Sequence, residues 1–223
     1  MKETTKKNSN QIISDFLSNN KKILLTVLSV AVVLIIAFGV YSTVSQNKIN
    51  EMINSTTELD NMYDEVLNSN GDKEAFVSYG NKLIEEYKGT KAEVIAYSRL
   101  ASYFFDEKNF EKALEYYTKA YVNFPKDMAA SVYMFNAAMC NEELGNVDQA
   151  IEVLTNLVKT YKSNDLESAD LSPDVPEAIF NLGRLFESKG DLTKAIENYE
   201  LLVAEYQSYN LSNLAKTRLL TIK

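Results

Sequence analysis

Two kinds of side chain in this sequence could do chemistry: adjacent carboxylates, as at Glu85-Glu86 and Glu142-Glu143, and one thiol, Cys140. General acid and base work needs two carboxyls converging on one substrate. Neighbours in sequence diverge by roughly 100° around a helix, so these pairs read as a solvated acidic face. A thiol nucleophile needs an adjacent base to form its thiolate. With 0 histidines in the chain, no imidazole can serve as that base, complete a Ser-His-Asp apparatus or supply most zinc and haem sites. Cys140 therefore reads as a small buried apolar residue, and as the single cysteine it cannot close an intrachain disulfide. No GxGxxG, P-loop, HExxH or EF-hand spacing occurs. The chain is expected to be non-catalytic, with no cofactor and no metal.

A chain that does not react binds, and its charge narrows what it binds. The net charge is −8, from 31 acidic and 23 basic residues, and it is unevenly spread. Residues 1–47 hold five lysines (Lys2, Lys6, Lys7, Lys21, Lys22) against Glu3 and Asp15, which leaves 18 basic and 29 acidic residues for the remainder. Phosphate backbones would repel so acidic a body, so nucleic acid is not an expected partner. With 7 glycines and 3 prolines in 223 residues, too few turn formers are present for an all-β domain. The fold is expected to be all-α.

Residues 23–41, ILLTVLSVAVVLIIAFGVY, carry no charge, and at ~1.5 Å per residue they span roughly 28 Å of helix, close to the thickness of a bilayer's hydrocarbon. Lys21 and Lys22 abut the start of this run, while beyond it Lys48 stands against Glu51, Glu58 and Asp60. The lysine bias predicts a single-pass protein of the bacterial cytoplasmic (inner) membrane, with residues 1–22 in the cytoplasm and everything after 41 outside. The rival reading is a cleaved secretory signal, with small residues around Ala37-Phe38-Gly39. Against it, both the apolar run and the 22 residues before it exceed the usual signal dimensions. No cysteine stands next to the run to accept a lipid anchor.

The second half of the chain repeats. In 94–127 stand Tyr97, Leu100, Ala101, Phe104, Ala113, Tyr117, Ala120 and Pro125; in 176–207 stand Ile179, Leu182, Gly183, Phe186, Ala195 and Tyr199. Between them, 131–164 holds a degenerate copy with Met134, Ala137, Ala138, Ala150, Leu154 and Leu157. This pattern resembles the tetratricopeptide repeat (TPR), in which small residues let two helices close while aromatics fill the wedge between neighbours. Asn109, Asn146 and Asp191 stand where helix caps belong. Residues 49–67 and 72–87, around Asn70-Gly71, read as a diverged repeat or cap within a membrane-proximal segment, 42–92. Residues 163–173 read as a polar insertion inside the repeat region 93–207. Residues 208–223 read as a terminal capping helix that turns Leu214, Leu219 and Leu220 to the array.

The resemblance implies a concave face, lined by the first helix of each repeat, that binds peptides or proteins. Its positions fall on Ser98, Ser102 and Phe105, then Val132, Phe135, Met139 and Glu142, then Phe180, Arg184 and Glu187. The alternative is that Phe105, Phe135, Met139 and Phe180 pack against one another or against the last helix. The family's clamp for a C-terminal carboxylate requires lysines and asparagines where this chain has mainly Ser, Phe and Met.

Taken with the N-terminus, the run Ile13-x2-Phe16-x3-Asn20-x-Lys22 before one apolar helix and acidic repeats resembles the bacterial ancillary subunit family of the Sec translocon. That resemblance implies association with translocation channel subunits and periplasmic chaperones. The chain departs from that family in its sharper repeat consensus and in the 163–173 insertion. An envelope-organising TPR protein, of the outer-membrane barrel-assembly or cell-division kind, is the alternative.

Overall fold

The structure, a computed structural model, describes residues 9–162 and 174–222. The residues placed here as the polar insertion, 163–173, and the first part of the lysine-bearing leader, 1–8, lie outside the described residues. Among the described residues ten helices follow one another: α1 (Ser9–Asn19), α2 (Lys21–Leu67), α3 (Lys73–Glu86), α4 (Lys91–Asp106), α5 (Phe110–Asn123), α6 (Ala130–Glu143), α7 (Val147–Tyr161), α8 (Asp174–Ser188), α9 (Leu192–Glu205) and α10 (Asn210–Ile222). Among the described residues there is no strand.

The chain divides into two compact units, Met1–Ile53 and Asn54–Lys223. The first contains α1 and the apolar length of α2, and none of the apolar window of α2 is buried. The sequence suggests separate helices over 23–41 and 49–67, but α2 joins them without a break. The reason is local: no proline stands between them, and the mostly polar residues 42–48 are compatible with continuing a helix once it has been nucleated.

In the second unit the helices pair as successive hairpins, and the pairing is written in one register. The second helices α5, α7 and α9 each bury three residues at i, i+4 and i+7: Ala113, Tyr117 and Ala120; Ala150, Leu154 and Leu157; Ala195, Tyr199 and Leu202. The first helices answer with Tyr97, Leu100, Ala101 and Phe104 on α4, Met134, Ala137, Ala138 and Asn141 on α6, and Ile179, Leu182 and Gly183 on α8. At the fourth position of α6 an asparagine replaces the aromatic. Asn141 is buried, and its amide donates to the Ala137 carbonyl at 3.1 Å, which answers the polarity of the site from within its own helix.

The hairpin turns repeat as closely. Asn109, Asn146 and Asp191 each donate a backbone N–H to a carbonyl five residues back, at Phe104, Asn141 and Phe186. The residue before each has positive φ: Lys108 at 58°, Gly145 at 76° and Gly190 at 77°. Two repeats thus use glycine where the chain needs left-handed backbone, and one uses lysine. Asn109 and Asp191 then cap the next helix by accepting the N–H of Lys112 and Lys194, whereas Asn146 makes no side-chain cap bond. At the Asn70-Gly71 turn the left-handed residue is Ser69, with φ 61°. The need for glycine at 71 is steric, since a Cβ there would lie 2.7 Å from the Val66 nitrogen.

Two apolar clusters result, and α6 is the wall between them. Tyr133, Ala137 and Cys140 face the first, with Leu59 of α2, Phe76 and Leu83 of α3, and the α4–α5 pair. Met134 and Ala138 face the second, built on α7 to α10. A helix buried on two sides shows no clean amphipathic stripe, which is why this repeat is the hardest to read in the sequence. The first cluster is tied by rings: Phe76 meets Tyr63 and Tyr103 at 5.8 and 5.3 Å, and Phe104 stacks on Tyr116 at 5.7 Å. The C-terminal helix corrects one expectation. Leu214 and Leu220 are 53% and 86% exposed, and α10 instead presents Leu211, Ser212, Ala215, Leu219 and Ile222 to the array. Buried Ser212 selects that face, because its hydroxyl meets the Leu202 and Tyr206 carbonyls at the end of α9.

Gly183 is the most closely approached of the glycines: a Cβ there would stand 2.5 Å from the ring of buried Tyr199. Gly183→Leu is expected to cost about 1 to 3 kcal/mol by overpacking, read as a lowered midpoint in thermal or urea unfolding. Lys108→Gly should do the opposite. It relieves a left-handed non-glycine residue but frees the unfolded chain, for a net gain of about 0.5 to 1 kcal/mol in the same measurement.

Candidate functional site

All ten face positions named from the sequence lie on the first helices, α4, α6 and α8, and none of them is fully buried. Their surroundings differ. On α4, Ser102 shares a hydrogen bond of 3.2 Å with the Tyr117 hydroxyl, and Ser98 bonds the Tyr133 side chain. Both serines serve as ties to the next helices. Phe105 meets Phe110 edge-on at 5.4 Å and sits, with Asp106, Lys108 and Glu143, around a recess at the α4–α5 turn. It is not brought together with the other aromatics.

Those others are gathered. Phe135 and Met139 of α6 and Phe180 of α8 are half-buried against the second cluster, and Val132 is 38% exposed. Beside them run two polar crossings, one between first helices and one from α8 to the last two helices. Arg184 grips Glu142 with both ends of its guanidinium, at 2.5 and 2.6 Å, and also donates to the Asn181 amide oxygen at 2.7 Å. Glu187 receives Arg218 of α10 through both carboxylate oxygens and the Tyr199 hydroxyl at 3.1 Å. At the other end of the α6–α8 pair, the Ser131 hydroxyl donates to Asp174 at 2.6 Å. A cleft of about 430 Å³ lies among Phe180, Arg184, Glu187, Ser188, Tyr199 and Arg218.

Arg218, Tyr199 and Asn181 were not among the residues the sequence marked. Arg218 is 31 positions from its partner Glu187, on a helix that the repeat pattern does not cover, and no spacing rule reports such a pairing. Tyr199 is legible only as a packing residue.

Geometry also settles what this region can do chemically. Of the marked residues, Glu142 and Arg184 pair with each other and Glu187 pairs with Arg218, so these three offer hydrogen-bonding edges rather than free charge. Burial pushes the Cys140 thiol up to about 12, which keeps it protonated at neutral pH. Burial, reinforced by Glu187, likewise takes the Tyr199 phenol up to about 12. Glu85 and Glu86 are exposed, and Glu142 is engaged by Arg184 while Glu143 faces solvent. Among the described residues no three or more His, Cys, Asp or Glu side chains gather to hold a metal ion.

Paired helices in one register, with a continuous face on their first members, define a helical-repeat module of the kind that serves as a protein-interaction scaffold and is typically non-catalytic. The chain belongs to the tetratricopeptide repeat-like domain family, whose model matches residues 14–178. A second model, the tetratricopeptide repeat, matches residues 176–208. Over 123 residues the chain is 32% identical to a TPR repeat-containing protein of Treponema pallidum (strain Nichols), covering 55% of this chain and 48% of that one. Over 105 residues it is 30% identical to a TPR repeat-containing protein of Methanocaldococcus jannaschii, covering 47% and 28%. The chain thus matches about half, or less, of the length of these curated relatives.

Solved structures agree on the fold alone. The kinesin light chain TPR-like repeats of Podosopora anserina superpose with a TM-score of 0.56 at 13% identity, covering 77% of this chain and 84% of theirs. BtubC from P. vanneervenii superposes with 0.54 at 15% identity, covering 77% and 82%.

The ion pairs make a testable statement about pH. The Arg184 hydrogen bonds, against the opposing effect of burial, hold the Glu142 carboxyl below its ordinary value, and Arg218 does the same for Glu187. Because both folded-state values are depressed, their contribution is fully present above the unfolded glutamate pKa of about 4.3 and is lost as pH falls through the folded values. Partial exposure limits the Glu142–Arg184 pair to about 0 to 1 kcal/mol. Glu142→Gln combined with Glu187→Gln should therefore lower the melting temperature slightly at neutral pH. It should also flatten its decline between about pH 5 and pH 3 relative to the parent chain.

Proposed function

We propose that this protein is a non-catalytic adaptor, fixed in the bacterial cytoplasmic membrane by residues 23–41 and presenting its repeat face to proteins on the far side. We further propose that it is an ancillary subunit of the Sec translocon, associating with channel subunits and with periplasmic chaperones. The observation that carries this reading is the apolar stretch of α2. It is uncharged, unburied, long enough for a bilayer and continuous with a helix whose last turns enter the repeat core at Leu59 and Val66. The family match supports it, since it begins at residue 14 and so takes in the apolar helix together with the repeats. The lysines on one side and the acidic excess on the other support the orientation.

On the repeat face, the half-exposed row of Phe135, Met139 and Phe180 is the surface we assign to partner binding, with the cleft at Arg184 and Tyr199 beside it. Aromatic anchors next to satisfied polar groups are what protein interfaces use. The envelope-organising alternative shares the anchor and the face and differs only in the partner.

Crosslinking in intact cells with a photoreactive residue in place of Phe180 separates the two. Channel subunits among the adducts are the expected result, and barrel-assembly or division proteins without channel subunits would transfer the assignment to the alternative. Phe135→Ser with Phe180→Ser is expected to weaken partner capture by about tenfold while the helical circular dichroism stays unchanged. Loss of that signal would instead make the two rings part of the core.

A further inference from the structure

The residues that precede the apolar stretch form a helix of their own, and its composition is two-sided. On α1, Ile12, Ile13, Phe16 and Leu17 fall at i, i+1, i+4 and i+5, one continuous arc of the helix, and they are 56%, 58%, 59% and 50% exposed. Gln11, Ser14, Asp15 and Ser18 occupy the opposite arc. Asn20, the one residue between α1 and α2, would sit in the apolar arc, but its amide donates to the Phe16 carbonyl at 2.9 Å. Its polarity is answered locally, which lowers the cost of an apolar environment there.

Where α1 meets α2, a groove of about 700 Å³ opens. It is lined by Ile13, Leu17, Leu24, Leu25 and Leu28, with Lys21 among them. Charge is distributed around this helix in a consistent way: Lys6 and Lys7 precede it, Lys21 and Lys22 follow it, and Asp15 lies within it on the polar arc.

An exposed apolar arc bounded by lysines and leading directly into a bilayer-length helix fits one surface, the boundary between acyl chains and anionic headgroups. We infer that α1 lies in the plane of the leaflet that α2 enters, as an interfacial helix held by anionic phospholipid. The acyl chains meet Ile12, Ile13, Phe16 and Leu17, and the phosphates meet Lys21 and Lys22. The inference rests on α2 crossing the bilayer, and it adds a second, lipid-selective contact on the cytoplasmic side. Such a contact fixes the rotation and depth of a helix that otherwise has only its length to position it.

The chain has 0 tryptophans, so one introduced residue is an unambiguous reporter. Full-length Phe16→Trp and, separately, Val33→Trp would be reconstituted into vesicles of phosphatidylcholine, with or without phosphatidylglycerol. Matched vesicles would carry bromine quenchers either near the headgroups or near the ends of the acyl chains. Phe16→Trp is expected to show blue-shifted emission, to be quenched by the shallow bromines and to be quenched more when phosphatidylglycerol is present. Val33→Trp is expected to be quenched by the deep bromines whatever the lipid charge. Replacing Lys21 and Lys22 by Gln in the Phe16→Trp chain should lower the ratio of docked to free α1 by about fivefold per lysine in the anionic vesicles.

Water-like emission from Phe16→Trp in both vesicles, with Val33→Trp still deep, would overturn the interfacial helix and leave the membrane anchor standing. Quenching of Phe16→Trp by the deep bromines alone would also overturn it, by making α1 a prolongation of the span. Failure of the deep bromines to quench Val33→Trp would remove the anchor itself, and this inference with it.

Discussion

The repeat unit of this protein depends on two helices approaching more closely than ordinary side chains allow. At Gly183 no Cβ can be accommodated against the Tyr199 ring, and at Gly80 a Cβ would stand 2.9 Å from Leu100. Where the residue is alanine, as at Ala101, Ala138, Ala113, Ala150 and Ala195, it is completely buried. Close approach lets each second helix be held by three fully buried residues, with partly buried side chains such as Tyr116, Ile151 and Leu201 packed around them. Interiors packed at crystal-like density tolerate little change in volume at such points.

From that constraint the rest of the array follows. Hairpins closed in one register bring their first helices side by side, and α6, apolar on two sides, joins what would be two cores into one stack. The same alignment sets Glu142 opposite Arg184 and Ser131 opposite Asp174, so the face presented by α6 and α8 is braced by polar ties between repeats. Those ties consume charge that might otherwise recruit an ionic ligand. What these ties leave half-open along the face includes Phe135, Met139 and Phe180, a surface suited to protein partners.

The apolar window of α2 has none of its residues buried. Its residues are exposed along their whole length, with Phe38 and Tyr41 both 72% accessible. Exposed apolar surface of that extent is costly in water and ordinary in lipid. In sequence the lysine-rich start precedes this stretch and the acidic excess follows it, the asymmetry on which the proposed orientation rests.

The sequence by itself determined the all-helical class, the three repeat registers and the apolar helix, because each of these is a short-range pattern. Small and aromatic residues at fixed offsets report helix pairing, and 19 uncharged residues report a length of helix. Which residues occupy the first helices was legible for the same reason. What those residues touch was left to tertiary structure. Ser98 and Ser102 are spent on tyrosines of neighbouring helices, Phe105 is separated from Phe135 and Phe180, and Glu187 is claimed by Arg218 from a helix outside the repeats. The inward face of α10 was decided in the same way, by the fit of Ser212 to the last carbonyls of α9 rather than by the larger leucines beside it. Contacts between residues 15 to 43 positions apart depend on how successive hairpins stack, and no periodicity within a single helix records that.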